Sequence, residues 1–168
     1  MLRKLRTDLT RKLNLIRLLI INADIFLTET RVSYVQSLSP NNGHKVKSLR
    51  KLGVNTVAFS TRSSEAIYSI VSRLGIELLH QGVSQKSAIY SKLKTIHSTK
   101  DNEIAFIGGD FSDLPIIERV NFPVAVADAP LEVKAKSYYV TYGVGEEALR
   151  EVAELILKAK SGSNGWSE

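Results

Sequence analysis

Short apolar runs alternate along this chain with segments in which apolar residues recur every three or four positions. The runs are nearly uninterrupted, as strands covered on both faces require, and the segments between them have the spacing of helices with one buried face. The predicted strands cover residues 17–23, 54–60, 76–80, 103–109, 122–128 and 137–141. The predicted helices cover residues 44–53, 61–75, 84–97, 112–120 and 145–160.

Repeated strand–helix units predict an α/β fold with three layers. We expect a Rossmann-like domain with a central parallel sheet, helices on both faces and right-handed crossovers. The 168 residues, 43% of them hydrophobic, suffice for one such domain, which we place at residues 17–160. A basic amphipathic helix is predicted over residues 1–16, and the polar stretch 161–168 is predicted to be a disordered tail.

The N-terminal segment combines positive charge with an apolar face. The apolar residues that share this face are Leu2, Leu5, Leu9, Leu13 and Ile16. Much of the net charge of +6 lies in the same segment, which is compatible with binding to nucleic acid or to an anionic membrane. No aromatic residue interrupts the basic ones, so a helix packed on the domain with solvated charges is the favoured interpretation, and nucleic-acid binding is not expected.

Composition excludes several classes of protein. Cysteine is absent, which rules out disulfides, thiolate zinc sites and a cysteine nucleophile. No apolar run approaches the roughly 20 residues that span a bilayer. Basic residues interrupt the N-terminal segment, unlike the apolar core of a signal peptide. We therefore expect a cytoplasmic protein without a membrane span.

Polar residues follow each of the main predicted strands. Parallel strands bring their carboxyl ends to one edge of a sheet, where ligands bind at the switch point of the strand order. Hydroxyl and ammonium groups suit phosphoryl oxygens, and carboxylates suit Mg²⁺. The residues expected at this edge are Asn22, Asp24, Thr28, Ser60, Thr61, Arg62, Lys86, Gly109, Asp110 and Asp113. Taken singly, Ser60 could be only a helix cap, Lys86 a solvated first-turn residue, and the last two aspartates ordinary acids near a helix N-terminus.

The sequence around these positions resembles a known family. Residues 22–30, "NADIFLTET", are similar to the motif D-x-D-G-V-L-T-D-G, and residues 60–62, "STR", to T-G-R. Gln81-Gly82 with Lys86, and residues 108–113, "GGDFSD", are similar to QG…K and G-D-D-x-x-D. In this combination the chain resembles the haloacid dehalogenase superfamily, specifically its capless 3-deoxy-D-manno-octulosonate 8-phosphate (Kdo-8-phosphate) phosphatases.

The resemblance implies a role for each position. Asn22 occupies the position of the attacking aspartate, which in the family forms an aspartyl phosphate. Asp24 occupies the position of the residue that acts as acid and base. The phosphate-binding slots hold Ser60 and Lys86, with Thr61 and Arg62 beside the first of them. The resemblance also implies Mg²⁺, for which Asp24, Asp110 and Asp113 remain, although Gly109 occupies the slot of a charged ligand.

The departures from the motifs suggest two functional hypotheses. In the first, loss of the nucleophile at Asn22 and of the ligand at Gly109 leaves a protein that binds, regulates or assembles, with weak or no Mg²⁺ binding. In the second, the chain is an active Mg²⁺-dependent sugar-phosphate phosphatase that uses Asp24 and Asp110. The glycine after Asp24 is replaced by Ile25, which favours the first hypothesis.

The resemblance also implies partners. The resemblance implies tetramers that form through a hairpin flap. The corresponding segment of this chain, residues 30–43, is shorter than the family's flap, and Asn42-Gly43 is expected to be its end. A homo-oligomer, a sugar phosphate and an enzyme of a sugar-nucleotide pathway are the expected partners.

Overall fold

The structure, a computed structural model, describes residues 2–27 and 41–162. Six parallel strands form one sheet in these residues. The strands are β1 (Leu18–Asn22), β2 (Asn55–Phe59), β3 (Leu78–His80), β4 (Ile104–Gly108), β5 (Phe122–Ala125) and β6 (Tyr139–Val140). Their order is β3-β2-β1-β4-β5-β6, so β2 and β3 lie on one side of β1, and the chain then crosses over to form β4, β5 and β6 on the other side. The switch point lies between β1 and β4.

Within the described part of the chain, seven α-helices connect and cover these strands. They are α1 (Leu2–Asn14), α2 (Asn41–Lys51), α3 (Glu65–Arg73), α4 (Lys86–Ile96), α5 (Leu114–Ile117), α6 (Leu131–Lys136) and α7 (Glu146–Ser161). Short 3₁₀ turns follow β1 at Ala23–Phe26 and β4 at Phe111–Asp113, which are the two strands at the switch point. The predicted three-layer α/β fold with a central parallel sheet is therefore confirmed.

The two central strands are buried along their whole length. In the register of the sheet, Ile20 of β1 pairs with Val57 of β2 and with Phe106 of β4. All three side chains are fully buried, and burial of each such side chain contributes about 1.5–3 kcal/mol. This rigid centre fixes the positions of the loops that leave β1, β2 and β4.

Local signals set the ends of several helices. Ser64 caps α3, because its side chain accepts a hydrogen bond from the Ile67 N–H. Gly75 ends the same segment with a φ of +75°, a conformation that favours glycine. The short helix α6 was not predicted, because its six residues carry no side-chain cap and form less than two turns.

The pair Asn42-Gly43, expected at the end of the flap, lies in the first turn of α2. A Cβ atom at Gly43 would lie 2.8 Å from the Arg73 carbonyl oxygen, so the missing side chain allows the first turn of α2 to approach the end of α3. Thr28 and residues 30–40 of the expected flap lie outside the described residues.

The N-terminal helix packs on the domain. Leu13 of α1 is buried in the core, and Lys12 Nζ donates to the Asn121 side chain at 3.2 Å. None of the helices in residues 2–27 and 41–162 is long and apolar enough to cross a membrane. The division into an N-terminal helix, a domain and a tail stays a prediction.

Candidate functional site

The loops at the carboxyl ends of β1, β2 and β4 and the start of α4 meet at the switch point. The structure brings their side chains together as two connected groups. One is centred on the Asp113 carboxylate and includes Asn22 and Lys86. The other joins Asp24 to Ser60 and Thr61. Asn22 links the two groups, because its Oδ1 accepts a hydrogen bond from the Asp24 N–H at 3.0 Å.

Asp113 is the buried centre of the first group. Its Oδ1 accepts from Lys86 Nζ at 2.8 Å and from Asn22 Nδ2 at 3.1 Å. Its Oδ2 accepts from Asn22 Nδ2 at 3.0 Å and from the N–H groups of Gly109 and Asp110 at 2.9 and 3.0 Å. The Asp113 side chain is fully buried, and these donors replace the water that its charge has lost.

Lys86 begins α4 and points into this group rather than into solvent. The residue is only 7% exposed, and its ammonium also donates to the Ser112 hydroxyl at 2.6 Å. Asp113 supplies the negative charge that a buried ammonium needs. The role of Ser112 as a partner of Lys86 was missed in the sequence, where nothing distinguishes this serine from an ordinary helix-start residue.

Asn22, the last residue of β1, is 1% exposed and completely engaged. Its amide nitrogen donates to both oxygens of Asp113, while its carbonyl oxygen accepts from the Asp24 N–H. This pattern fixes the orientation of the amide, because an N–H donor cannot face the Asp24 N–H. Asn22 thus places a hydrogen-bond donor beside Asp113, where an aspartate would place a second negative charge.

Asp24 forms the second group with the loop that follows β2. Its Oδ1 accepts from Ser60 Oγ at 2.6 Å, and its Oδ2 accepts from Thr61 Oγ1 at 2.6 Å and from the Thr61 N–H at 3.2 Å. The Ser60 hydroxyl also accepts from the Arg62 N–H at 3.0 Å. Three donors therefore converge on one carboxylate, as they would on an anion of similar size.

The loop after β2 is held in place by β3. The Ser60 N–H donates to the backbone carbonyl of His80, and the Val83 N–H donates back to the Ser60 carbonyl. Burial lowers the pKa of the His80 imidazole, and the nearby charges of Lys92 and His97 lower it further. The His80 side chain is therefore neutral at physiological pH and adds no positive charge to this loop.

Two glycines at the end of β4, Gly108 and Gly109, leave little free space. A Cβ atom at Gly108 would lie 2.9 Å from Asp113 Oδ2, so only glycine lets this carboxylate approach the strand. A Cβ atom at Gly109 would lie 2.9 Å from Val126 Cγ2 and 3.4 Å from Ile25 Cγ2. Apolar methyl groups thus line the position where the resemblance places a charged metal ligand. The contribution of Val126 to this position was missed in the sequence analysis, where nothing distinguishes this residue from the rest of its apolar run.

The three carboxylates predicted as metal ligands do not gather around one point. Asp24 faces Ser60 and Thr61, Asp113 is engaged by Lys86, and Asp110 is exposed, with its Oδ1 accepting from the Ser112 N–H at 3.4 Å. Among residues 2–27 and 41–162, no three His, Cys, Asp or Glu side chains are grouped so that they could hold a metal ion.

Comparison with known proteins identifies the family. A model of the haloacid dehalogenase-like hydrolases matches residues 75–152. A probable YrbI family phosphatase from Pseudomonas syringae, whose crystal structure is known, is 32% identical in sequence to this chain. The two structures match with a TM-score of 0.79 over 92% of both chains. The chain belongs to the Kdo-8-phosphate phosphatase family of the haloacid dehalogenase superfamily.

Other members of the Kdo-8-phosphate phosphatase family are similarly close. The 3-deoxy-D-manno-octulosonate 8-phosphate phosphatase KdsC of Yersinia pestis is 29% identical over 157 residues, which are 89% of this chain and 84% of that protein. The Moraxella catarrhalis phosphatase, solved with a magnesium ion, a phosphate ion and a KDO molecule, is 26% identical with a TM-score of 0.80, and the match covers 93% of this chain and 94% of that one. The family resemblance inferred from the sequence motifs is confirmed, and a metal cofactor occurs in the family.

Proposed function

We propose that this chain is a phosphatase-like protein that binds a phosphorylated sugar without hydrolysing it. The observation that carries the proposal is the Asn22 amide, which donates both to Asp113 Oδ1 and to Asp113 Oδ2. It stands in the slot that the family resemblance assigns to the attacking carboxylate.

An amide in this slot cannot start the covalent reaction of the family. The Asn22 oxygen carries no negative charge and already accepts a hydrogen bond from the Asp24 N–H, so it is a poor nucleophile toward phosphorus. Each 1.36 kcal/mol of lost transition-state stabilisation lowers the rate about tenfold. Loss of the acyl-phosphate intermediate should therefore lower the rate of hydrolysis by many factors of ten.

The residues around Gly109 do not fit the Mg²⁺ ion that the family uses. Mg²⁺ keeps its water tightly and is usually bound through one or two carboxylates in octahedral geometry. Here Gly109 offers no side-chain oxygen, and methyl groups of Ile25 and Val126 border that position. The Asn22 nitrogen and the Lys86 ammonium both point at Asp113, so this carboxylate is already neutralised by protein groups.

The groups that bind phosphoryl oxygens are better preserved than those for catalysis. Ser60 retains a hydroxyl and Lys86 an ammonium at the switch point. Thr61 stands where the motif has glycine, and both its hydroxyl and its backbone N–H donate to Asp24. The related phosphatases act on Kdo-8-phosphate, which makes a sugar phosphate the ligand class to test first. We further propose that the protein is cytoplasmic and forms a homo-oligomer, which is a tetramer as the resemblance implies. An enzyme of sugar-nucleotide synthesis is the proposed partner.

The proposal is tested by phosphate release from Kdo-8-phosphate and an aryl phosphate, with Mg²⁺ and with EDTA. We expect no Mg²⁺-dependent turnover from the native protein. The positive control is the variant Asn22→Asp, Gly109→Asp, Ile25→Gly, in which the last change restores the glycine of the family motif and removes a methyl group 3.4 Å from the new Cβ. Mg²⁺-dependent turnover by the native protein that Asp24→Ala abolishes would refute the proposal.

A second candidate function is an active phosphatase that uses Asp24 as a base on water, with Asp110 as a replacement ligand. The retained Asp24 at the edge of the site is the observation that favours it. Its geometry is less favourable, because both carboxylate oxygens of Asp24 are engaged by Ser60 and Thr61. A turnover that survives Asn22→Ala but is lost in Asp24→Asn would support this second function.

A further inference from the structure

Asp24 uses the donors that an incoming phosphate would need. Ser60 Oγ and Thr61 Oγ1 each donate to one of its oxygens at 2.6 Å, and the Thr61 N–H donates at 3.2 Å. Each hydroxyl has one hydrogen to donate, and so does the backbone N–H. An oxyanion therefore cannot accept from these three groups while the Asp24 carboxylate keeps them.

We propose that Asp24 is an internal anion that closes the Ser60–Thr61 loop, and that a phosphate monoester binds there, without a metal, by displacing it. This inference rests on the proposed binding function and adds its regulation. The carboxylate acts as an autoinhibitory contact, and it also keeps the loop hydrogen-bonded when no ligand is bound.

The surroundings explain why the two anions exclude each other. The nearest buried cation of the site, the Lys86 ammonium, is already paired with Asp113 at 2.8 Å. A phosphate bound beside Asp24 would thus place its negative charge next to that of the Asp24 carboxylate. Because the Lys86 ammonium is already paired with Asp113, it does not offset this charge, and the phosphate and the carboxylate would repel each other. The Asp24 backbone stays anchored through its N–H to Asn22 Oδ1, so displacement needs only a side-chain rotation.

Asp24 is also placed so that it can leave. Ser60 is fully buried, whereas Asp24 is only partly buried at the edge of the site. When its carboxylate rotates outward, it regains water, and the loop hydroxyls turn to the ligand. The donor count stays the same, which makes this an exchange of one anion for another rather than the opening of a new cavity.

The test measures the dissociation constants of inorganic phosphate and of Kdo-8-phosphate in EDTA by isothermal titration calorimetry. We expect Asp24→Asn to bind both at least about tenfold more tightly than the native protein, because a charge-assisted contact no longer competes. The matched control is Asp128→Asn, which removes the same charge from an exposed carboxylate in the loop after β5. That variant should change the affinity less than about twofold, since screened surface charges interact weakly.

A second readout follows the loop itself. The Thr61 backbone amide signal in ¹H–¹⁵N spectra should shift with phosphate at lower concentration in Asp24→Asn than in the native protein. Adding Thr61→Val to Asp24→Asn removes one exposed donor and should reverse most of the gain in affinity. This double variant keeps the buried Ser60, so the fold is preserved.

The outcomes separate the two proposals. If the native protein binds phosphate and Asp24→Asn binds it equally or more weakly, Asp24 is not an internal competitor, and the binding function stands. If Asp128→Asn gains as much affinity as Asp24→Asn, general charge explains the result, and the inference is again overturned. If all folded variants fail to bind either ligand, the proposed binding function itself is wrong, and the inference falls with it.

Discussion

The two halves of the site differ in how far they depart from the family motifs. In the half that follows β2, which we call the oxyanion half, Ser60 keeps the hydroxyl of the motif, and the donors of Ser60 and Thr61 converge on one carboxylate. In the half around β1 and β4, which we call the metal half, an amide and a glycine replace two carboxylates, and methyl groups border the glycine. Binding and metal chemistry can thus be lost separately, because different loops supply them.

Asp113 is the buried centre of the metal half, and its removal should have the largest effect. Asp113→Ala leaves the Lys86 ammonium buried without its partner and also leaves the Asn22 amide and two backbone N–H groups without an acceptor. We expect the free energy of unfolding to fall by about 3–5 kcal/mol. Urea denaturation measures this loss, with Asp128→Ala as an exposed control. A loss below about 1 kcal/mol would show that the metal half does not depend on this carboxylate.

The substitution Asn22→Asp tests whether the metal half has adapted to the absence of a metal. It replaces two donated hydrogen bonds with a carboxylate about 3 Å from that of Asp113. We expect a loss of roughly 2–3 kcal/mol at pH 7 without Mg²⁺. The loss should shrink at pH 5, where one of the two carboxylates is more readily protonated. Equal or greater stability of the variant at pH 7 would contradict this interpretation of Asn22.

Mg²⁺ should distinguish the native metal half from a restored one. The variant Asn22→Asp, Gly109→Asp, Ile25→Gly should gain about 1.4 kcal/mol of unfolding free energy at a Mg²⁺ concentration ten times its Kd. The native protein should gain none at the same concentration. Equal stabilisation of the native protein would place a metal site here after all.

Glu146, a buried acid outside the site, gives the smallest expected change and a useful contrast with Asp113. Burial raises the pKa of the Glu146 carboxyl, although the ion pair with Arg73 at 2.8 Å opposes this. Because the pKa is higher in the folded protein than in the unfolded chain, the stability that this group contributes is present at low pH and is lost as the pH rises through the raised value.

The measurement compares the native protein with Glu146→Gln by urea denaturation between pH 4.5 and pH 7.5. The native protein should lose stability relative to the variant as the pH rises across this range. A difference that stays constant with pH would mean that burial does not dominate at Glu146. Asp113, in contrast, accepts five hydrogen bonds from the Lys86 ammonium, the Asn22 amide and two backbone N–H groups.

Much of the fold follows from local sequence. Strands β1, β2 and β4 lie within nearly continuous apolar runs, and such runs are buried wherever helices cover both faces of a sheet. Asn42-Gly43 was placed at the end of the flap from the family resemblance alone, whereas the structure shows Gly43 in α2, where the missing side chain allows close packing against the Arg73 backbone. Contacts between distant segments decide such cases, and no single stretch of sequence contains them.

The sequence predicted which residues lie at this edge of the sheet, but not which of their side chains contact one another. The rule that parallel strands end at one edge gathers Asn22, Asp24, Ser60 and Asp113 correctly. It does not say that Asp24 turns to Ser60 while Asn22 turns to Asp113, since side-chain rotation and burial decide these pairings. The roles of these residues in binding or catalysis stay predictions.

The most direct test of the account is a ³¹P NMR experiment on Kdo-8-phosphate with the native protein, first in Mg²⁺ and then in EDTA. One spectrum reports both binding, through a shifted or broadened ester signal, and hydrolysis, through a growing signal of inorganic phosphate. The account predicts a perturbed ester signal in both conditions and no inorganic phosphate. Inorganic phosphate that accumulates in Mg²⁺ and stops in EDTA would contradict it and would make the chain a working phosphatase.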